Sequence, residues 1–581
     1  MTPRQSLIRL VRGTAARIPM LRQIKEHPFV AKTWARVSTT PVPPAGYDRF
    51  LEARLDLRRR RQSVRQQTGL LSFVTTVWNT DPDFIRELAD SVLNQDGGTQ
   101  FEWLVLDNGS TNPGTVARLA ELAASPCVRL VRVEENLGII SGMRWCLENA
   151  SGRYILPLDS DDVLQPDCVN VITQHIIECG FPQCLYTDED KLRDGVPCDP
   201  YFKPDWDPLL FAHSCYIAHL CAIDRLLALE LGAYTDPRAE GCHDWDTFTR
   251  FALAGVTPSH VPEILYSWRM HPASTAQNID SKPYVYDSQK SIVERWARAP
   301  SVDAEYRVEL SPLFNGGPDW RIRRSSASPR PLISVTLSES VNTPSPDLEL
   351  AGYPLTASVA RPRATPLSAL DDIAAAAARD KALVHLVWDQ LRIRPFDWAW
   401  EALTLMELWP DTVMVGGRIF GPRGQLVAGA GVLGAGRGAD CPDIGRYETD
   451  PGYFAQMWKP HSADVVSCQH AVIDGAFLLD AVAALEGQPV SLPMLGQWLG
   501  AVARKAGKRV AYSPFLTGDV PSDWEENVQE TERAAFLRYA IPLLSDSRLM
   551  SPRLGLTDAT YWQPVSDIQR QRHLAALRRR R

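Results

Sequence analysis

The sequence predicts an α/β protein in which a mainly parallel, doubly wound sheet occurs twice, with helical termini. Three observations point there. From Gly69 onward, short apolar runs of strand character alternate with segments of helical spacing, the pattern of βαβ units. Acids and turn residues stand directly after several of those runs, where sheets of this kind place their ligands. The text from Ala374 to Leu403 echoes residues 145–172, and Ala506–Tyr512 echoes Ala254–His260, a weak internal repeat.

Taken in order, residues 1–68 form a basic N-terminal extension. Leu7, Ile8, Leu10, Val11, Ile18, Leu21 and Ile24 sit among arginines, a spacing compatible with short amphipathic helices, before Pro41-Val42-Pro43-Pro44 breaks the chain. Residues 69–325 make the first sheet unit. Leu70–Val77 reads as a buried strand, Asp81-Pro82 as a helix start, and Ile85, Leu88, Val92 and Leu93 as one helical face. Phe101–Leu106 and Val128–Val133 are further strands, and a helix ending at Asn149 leads into the strand that starts at Tyr154. A helix over Cys168–Cys179 follows. Residues 326–525 form the second unit, opening on the strand Leu332–Leu337, and 526–581 a helical, basic tail.

The bulk numbers narrow the function. A chain of 581 residues is long enough for three or four domain-sized units. A formal net charge of −7 gives no reason to expect a nucleic acid partner. The basic charge is uneven: residues 1–36 hold eight Arg and Lys against Glu26 alone, and Arg58–Arg61 and Arg578–Arg581 form two further clusters. Such faces lie on anionic lipid or pack on protein. Eleven cysteines without a C-x-x-C pair point to reduced thiols and a cytoplasmic setting. No apolar run reaches the roughly eighteen residues of a membrane span, and the N-terminus lacks the apolar core and cleavage site of a secretory signal.

The stretch with most chemistry is Tyr154-Ile155-Leu156-Pro157-Leu158-Asp159-Ser160-Asp161-Asp162, an apolar run that drops into three carboxylates. Clustered carboxylates repel unless a cation or hydrogen bonds compensate. Hard oxygen ligands suit Mg²⁺ or Mn²⁺ with a substrate phosphate completing the shell. Taken alone, the same residues would also serve as a solvated turn or helix cap. A second acid, Asp107, ends the Phe101–Leu106 strand and falls on the same rim.

Eight segments in order resemble the inverting family 2 glycosyltransferases with a GT-A (Rossmann-like) fold, closest to the bacterial O-antigen and surface-polysaccharide branch. They are Ser72–Asn79, Leu104–Thr111, Glu135–Gly138, Gly152–Asp162, Tyr186–Lys191, Phe202–Trp206, His243–Asp246 and Tyr266–Thr275. The resemblance implies a nucleotide-sugar donor of UDP, dTDP or GDP type, a glycan or lipid-linked acceptor, and a Mg²⁺ or Mn²⁺ ion. It places Asp159 at the ribose, Asp161 and His271 on the metal, and Thr76, Trp78 and Asp107 at the nucleoside. Asp244 becomes the base that takes the acceptor proton, with Asp246 as alternative; Asp162 and Arg144 are further site residues. Asp188, Glu189, Asp190 and Lys191 would line the acceptor cleft or form a solvated loop. Each residue also has a plainer reading: Asp107 and Asp244 as caps, Trp78 as a core aromatic, His271 as a turn histidine, Arg144 as a surface arginine.

Two departures stand out, His243 where the family commonly has Glu and Trp145 where it usually has Asn. The second unit looks like a more divergent relative. It keeps only Asp389 of the acid cluster, and Gly496-Gln497-Trp498 replaces the base motif. A non-catalytic second unit is expected, serving acceptor binding, assembly or support. The functional alternative is a non-enzymatic glycan-binding or scaffold subunit. The basic termini imply peripheral attachment to the inner face of a bacterial inner membrane.

Overall fold

The structure, a computed structural model, describes residues 46–61, 66–271, 284–299, 304–313, 319–325, 328–338, 348, 350–362, 367, 369–520, 528–544, 549–557 and 561–579. The amphipathic reading of residues 1–40 and the last two arginines lie outside the described residues. Among those described, no helix is long and apolar enough to cross a membrane.

The first sheet contains β1 (Leu71–Val77), β2 (Glu102–Asn108), β3 (Val128–Val133), β4 (Tyr154–Pro157), β5 (Val163–Leu164), β6 (Cys184–Arg193), β7 (Val196–Tyr201), β8 (Cys221–Asp224) and β9 (Ser259–Arg269). Its order is β3-β2-β1-β4-β8-β6-β9-β5, with β7 on β6. The strands β3, β2, β1 and β4 are parallel, as are β6 and β9, whereas β8 runs against both neighbours. Parallel strands need helical crossovers. These are α2 (Pro82–Leu93), capped by the Asp81 side chain, α3 (Pro113–Leu122), capped by Asn112, and α4 (Gly138–Asn149). Then come α5 (Cys168–Glu178), α6 (His243–Leu253) and α7 (Tyr284–Arg298). Ile85, Leu88 and Val92 are all buried, so the sequence pattern of α2 is its packing face.

The second sheet repeats this plan. Its order is 355–362, 332–338, 383–388, 470–474, 412–420, 509–519 and 392–393. Three parallel strands, one antiparallel strand, a second parallel pair and a two-residue strand at the far edge reproduce the order from β2 to β5. Among the described residues, no strand of the second sheet stands at the position of β3. The repeat visible in the text is therefore a repeat of topology.

An additional helix, α1 (Tyr47–Arg61), packs on the first unit. The Arg58–Arg61 cluster that reads as a basic patch is largely spent on protein. Arg58 donates to both oxygens of Asp167 (2.7 and 2.9 Å) and to Glu263, while Arg59 pairs with Asp96. Arg54 also reaches Glu263, which Arg553 of the C-terminal segment shares. Both termini thus converge on one buried carboxylate.

The candidate active site

The parallel strands carry the site on the rim where they end. Beyond β4 the chain makes a tight turn at Ser160-Asp161 and enters β5. What fixes this turn is β9. Asp162 is fully buried; it accepts hydrogen bonds from the Tyr266 hydroxyl (2.5 Å) and the Arg269 N–H (2.7 Å). The Arg269 guanidinium donates to the Asp161 carbonyl and to Glu87 (2.7 Å), and Ser160 meets Thr80 at 2.7 Å. Burial, then the neighbouring Asp159 and Asp161 charges, push the Asp162 carboxyl well above the usual carboxylate range. Asp162 therefore anchors the turn, leaving Asp159 and Asp161 directed at the cleft.

Asp161 meets His271, which follows β9, with Oδ2 and Nε2 2.8 Å apart. Both are about three-quarters buried. Among the described residues no group of three or more His, Cys, Asp or Glu is arranged to enclose a metal. An oxygen and an imidazole nitrogen on one cleft wall still fit Mg²⁺ or Mn²⁺, which take one or two protein ligands and fill the shell with water and substrate phosphate.

Asp244 lies in the first turn of α6. The helix cap is Cys242, so the capping role that its sequence position allows is not the one it plays. Its one hydrogen bond among the described residues is a long one from the Tyr234 hydroxyl, 3.4 Å, and His243 Nε2 lies 3.7 Å away. Asp244 is near enough to Asp159 for their charges to interact. Asp246, the alternative base, is buried and held in ion pairs with Arg250 (2.8 Å) and Arg295 (2.6 Å).

At the end of β2, Asp107 Oδ1 accepts from the Ser110 N–H (2.9 Å) and Oδ2 pairs with Arg132 (2.8 Å). Asp107 caps its turn after all; a carboxylate retains lone pairs for a further donor. Trp78 is 58% exposed, which excludes the core reading, and Thr76 lies half-buried beside Gly142 of α4. Arg144 points elsewhere: it pairs with Glu148 (2.6 Å) and donates to the Ala233 carbonyl.

The run Asp188–Lys191 is not a solvated loop. It is part of β6, and its acids are buried. Asp188 accepts from His260 (2.9 Å), whose other nitrogen meets Asp205 (2.7 Å); Asp190 accepts from Tyr47 of α1 (2.7 Å). Glu189 brings in a residue that the sequence reading missed. His219 places Nδ1 3.5 Å from Glu189 and Nε2 4.0 Å from Asp159, and its ring stacks on Tyr266. Burial opposes its charge, but Glu189, Asp159 and Asp244 together outweigh that and hold its pKa up to about 10. Lys203 secures the loop by donating to the carbonyls of Ile217 and His219. A fixed imidazolium thus stands beside Asp159. As a lone histidine between apolar residues it carried no signal in the text.

Residues 72–189 match the sequence model of Glycosyl transferase family 2. Over 493 residues the chain is 29% identical to the Sinorhizobium fredii "Uncharacterized protein y4gI", covering 78% of this chain and 53% of that one. Over 244 residues it is 28% identical to the O-antigen biosynthesis protein RfbC of Myxococcus xanthus, 41% of this chain and 19% of the relative. The chain thus spans about half the length of the first and a fifth of the second. Residues 1–349 of S. aureus TarS, solved with UDP-GlcNAc, align at 17% identity and a TM-score of 0.34, over 40% of this chain and 68% of that one. The family match thus falls on β1 to β6 of the first sheet unit.

The second unit shows what was lost. In the first, Leu164 pairs with Tyr266 and the Gln165 N–H meets the Leu265 carbonyl; in the second, Ile393 pairs with Gly518 and the Arg394 N–H meets Thr517. Asp162 therefore corresponds to Leu391. From the strand side, Tyr154 pairs with Leu71 and Asp224 as Leu383 pairs with Leu332 and Asp474. The two registers agree without a gap, so Asp389 stands where the first unit has Ser160, inside the acid cluster, while Trp388, Gln390 and Leu391 replace Asp159, Asp161 and Asp162. Counting back from the shared Ala254-Gly255 and Ala506-Gly507, Gly496 occupies the position of Asp244. A Cβ there would lie 1.9 Å from the Val466 carbonyl, so no side chain fits.

Proposed function

We propose that the first unit transfers a sugar, with inversion, from a nucleotide-diphosphate donor to a glycan or lipid-linked acceptor of a surface polysaccharide. The observation that carries this is the convergence of Asp159, Asp161, His271 and Asp244, from three separate segments, on one rim of a family 2 domain. Inversion needs one base, on the face opposite the leaving group. Asp244 has that role: it is partly exposed and free of any ion pair with Lys or Arg among the described residues. Asp161 and His271 hold the divalent ion; when bound, Mg²⁺ or Mn²⁺ offsets the charge that builds on the leaving diphosphate. Asp159 faces the ribose, Asp107 the base, and Trp78 offers an exposed ring to the nucleoside. Burial, with the Asp161 and Asp244 charges, raises the Asp159 carboxyl above the usual carboxylate range, and His219 offsets part of that rise. The O-antigen relative supports a polysaccharide acceptor.

Asp161→Asn and Asp244→Asn each abolish transfer while the thermal unfolding profile stays that of the wild type. Turnover at the wild-type rate in either variant refutes the assignment. Residues 1–40 attach the protein to the membrane face where lipid-linked acceptors are made; their removal releases it from anionic vesicles in a flotation assay, and undiminished binding excludes that role.

A further inference from the structure

The second unit encloses a cavity of about 670 Å³ that its loss of acids leaves without an assigned use. The strand register identifies its place. Asp224 pairs with Tyr154 in the first unit and Asp474 with Leu383 in the second, so Gln469 stands where the first unit has His219. Gln497, next to the glycine at the base position, lines the same wall. The cavity thus lies beside the strand position that carries His219 in the first unit.

Its chemistry differs from that of the first cleft. Gln469 is largely buried, and its side-chain amide, which makes no hydrogen bond among the described residues, opens on the cavity. Ser467 and Thr557 add hydroxyls, and Arg437 and Arg533 line the cavity with no ion pair among the described residues. The acid in the lining, Asp440, already accepts from the Cys441 N–H (2.9 Å) and the Tyr561 hydroxyl (2.9 Å). Amides and hydroxyls suit sugar hydroxyls, and unpaired guanidinium groups suit a carboxylate or phosphate.

We propose that this cavity binds an acid-bearing sugar of the acceptor glycan, with Gln469 and Gln497 on its hydroxyls and Arg437 and Arg533 on its acid group. The second unit then holds the chain on which the first unit works. The proposal rests on the transferase reading for the identity of the glycan, while the binding is measured without turnover.

The test is isothermal titration of the full chain with hexasaccharides containing glucuronate, galacturonate or mannuronate, beside neutral chitohexaose and inorganic phosphate. At least one uronate hexasaccharide binds, at least tenfold tighter than chitohexaose. The double variant Arg437→Ala/Arg533→Ala weakens it at least tenfold with an unchanged melting temperature, and Gln469→Ala weakens it further. Millimolar phosphate leaves it in place. Equal binding by the double variant, equal affinity for chitohexaose, displacement by phosphate, or no binding of any uronate hexasaccharide overturns the proposal. Asp244→Asn leaves this binding intact, so failure of the transferase reading is seen separately.

Discussion

Three adjacent carboxylates do three different things because their partners differ. Asp162 faces inward to Tyr266 and Arg269, Asp161 reaches His271, and Asp159 looks across the cleft to His219. The division follows from β9, which supplies a hydroxyl, a backbone N–H and a histidine to one turn. Removing Asp162 leaves two buried donors unpaired. Asp162→Ala therefore costs about 2–5 kcal/mol in denaturant unfolding, while Asp161→Ala, exchanging a partly exposed pair, costs less; equal losses would show that Asp162 is no anchor. Asp190 adds a pH dependence. Burial raises its carboxyl to about 7 in the folded chain, above an unfolded value of about 3.9. The folded state then binds more protons, so this stability is complete below about pH 4 and is lost as pH rises through 7. Asp190→Asn flattens that part of the stability profile between pH 4 and 8; an unchanged slope contradicts the assignment. None of these partners is readable from the text, since Tyr47, Lys203, His219 and His260 come from remote segments.

At the scale of elements, the legible part was the strand that ends in acids. β1, β2, β3 and β4 fall within a residue or two of their apolar runs, because a buried parallel strand has little choice of residue. What misled was charge: Asp188–Lys191 reads as a solvated loop, yet β6 buries it against cations and hydroxyls from elsewhere in the chain. Backbone register sets Asp389 at the position of Ser160, so the second unit keeps an acid in this turn but none where Asp159, Asp161 and Asp162 stand. Register also explains why the second unit cannot simply regain a base. Gly496 and Gly500 press the helix 492–505 onto the backbone of residues 464–466. Gly496→Asp destabilises the protein by about 3 kcal/mol or more through overpacking, and adds no turnover to an Asp244→Asn background. A stable double variant with restored activity would refute this reading of the second unit.

The whole molecule is two copies of one sheet plan fastened together. Asp207, at the start of a short helix in the first unit, accepts from both the N–H and the hydroxyl of Ser462 in the second, and Lys459 donates to the His213 carbonyl. Tyr453 receives the Phe202 N–H on its hydroxyl. These contacts seat the second unit on the loops that lead to Lys203 and His219. The division of labour proposed above puts chemistry on the first rim and glycan retention in the second. Its central claim is that all transfer depends on one carboxylate. The direct measurement is metal-dependent consumption of a panel of UDP-, dTDP- and GDP-sugars by the full chain, wild type against Asp244→Asn. The account predicts that the wild type consumes a donor with Mn²⁺ or Mg²⁺ and that the variant is slower by on the order of 10²–10⁴. Consumption at the wild-type rate by Asp244→Asn would contradict it.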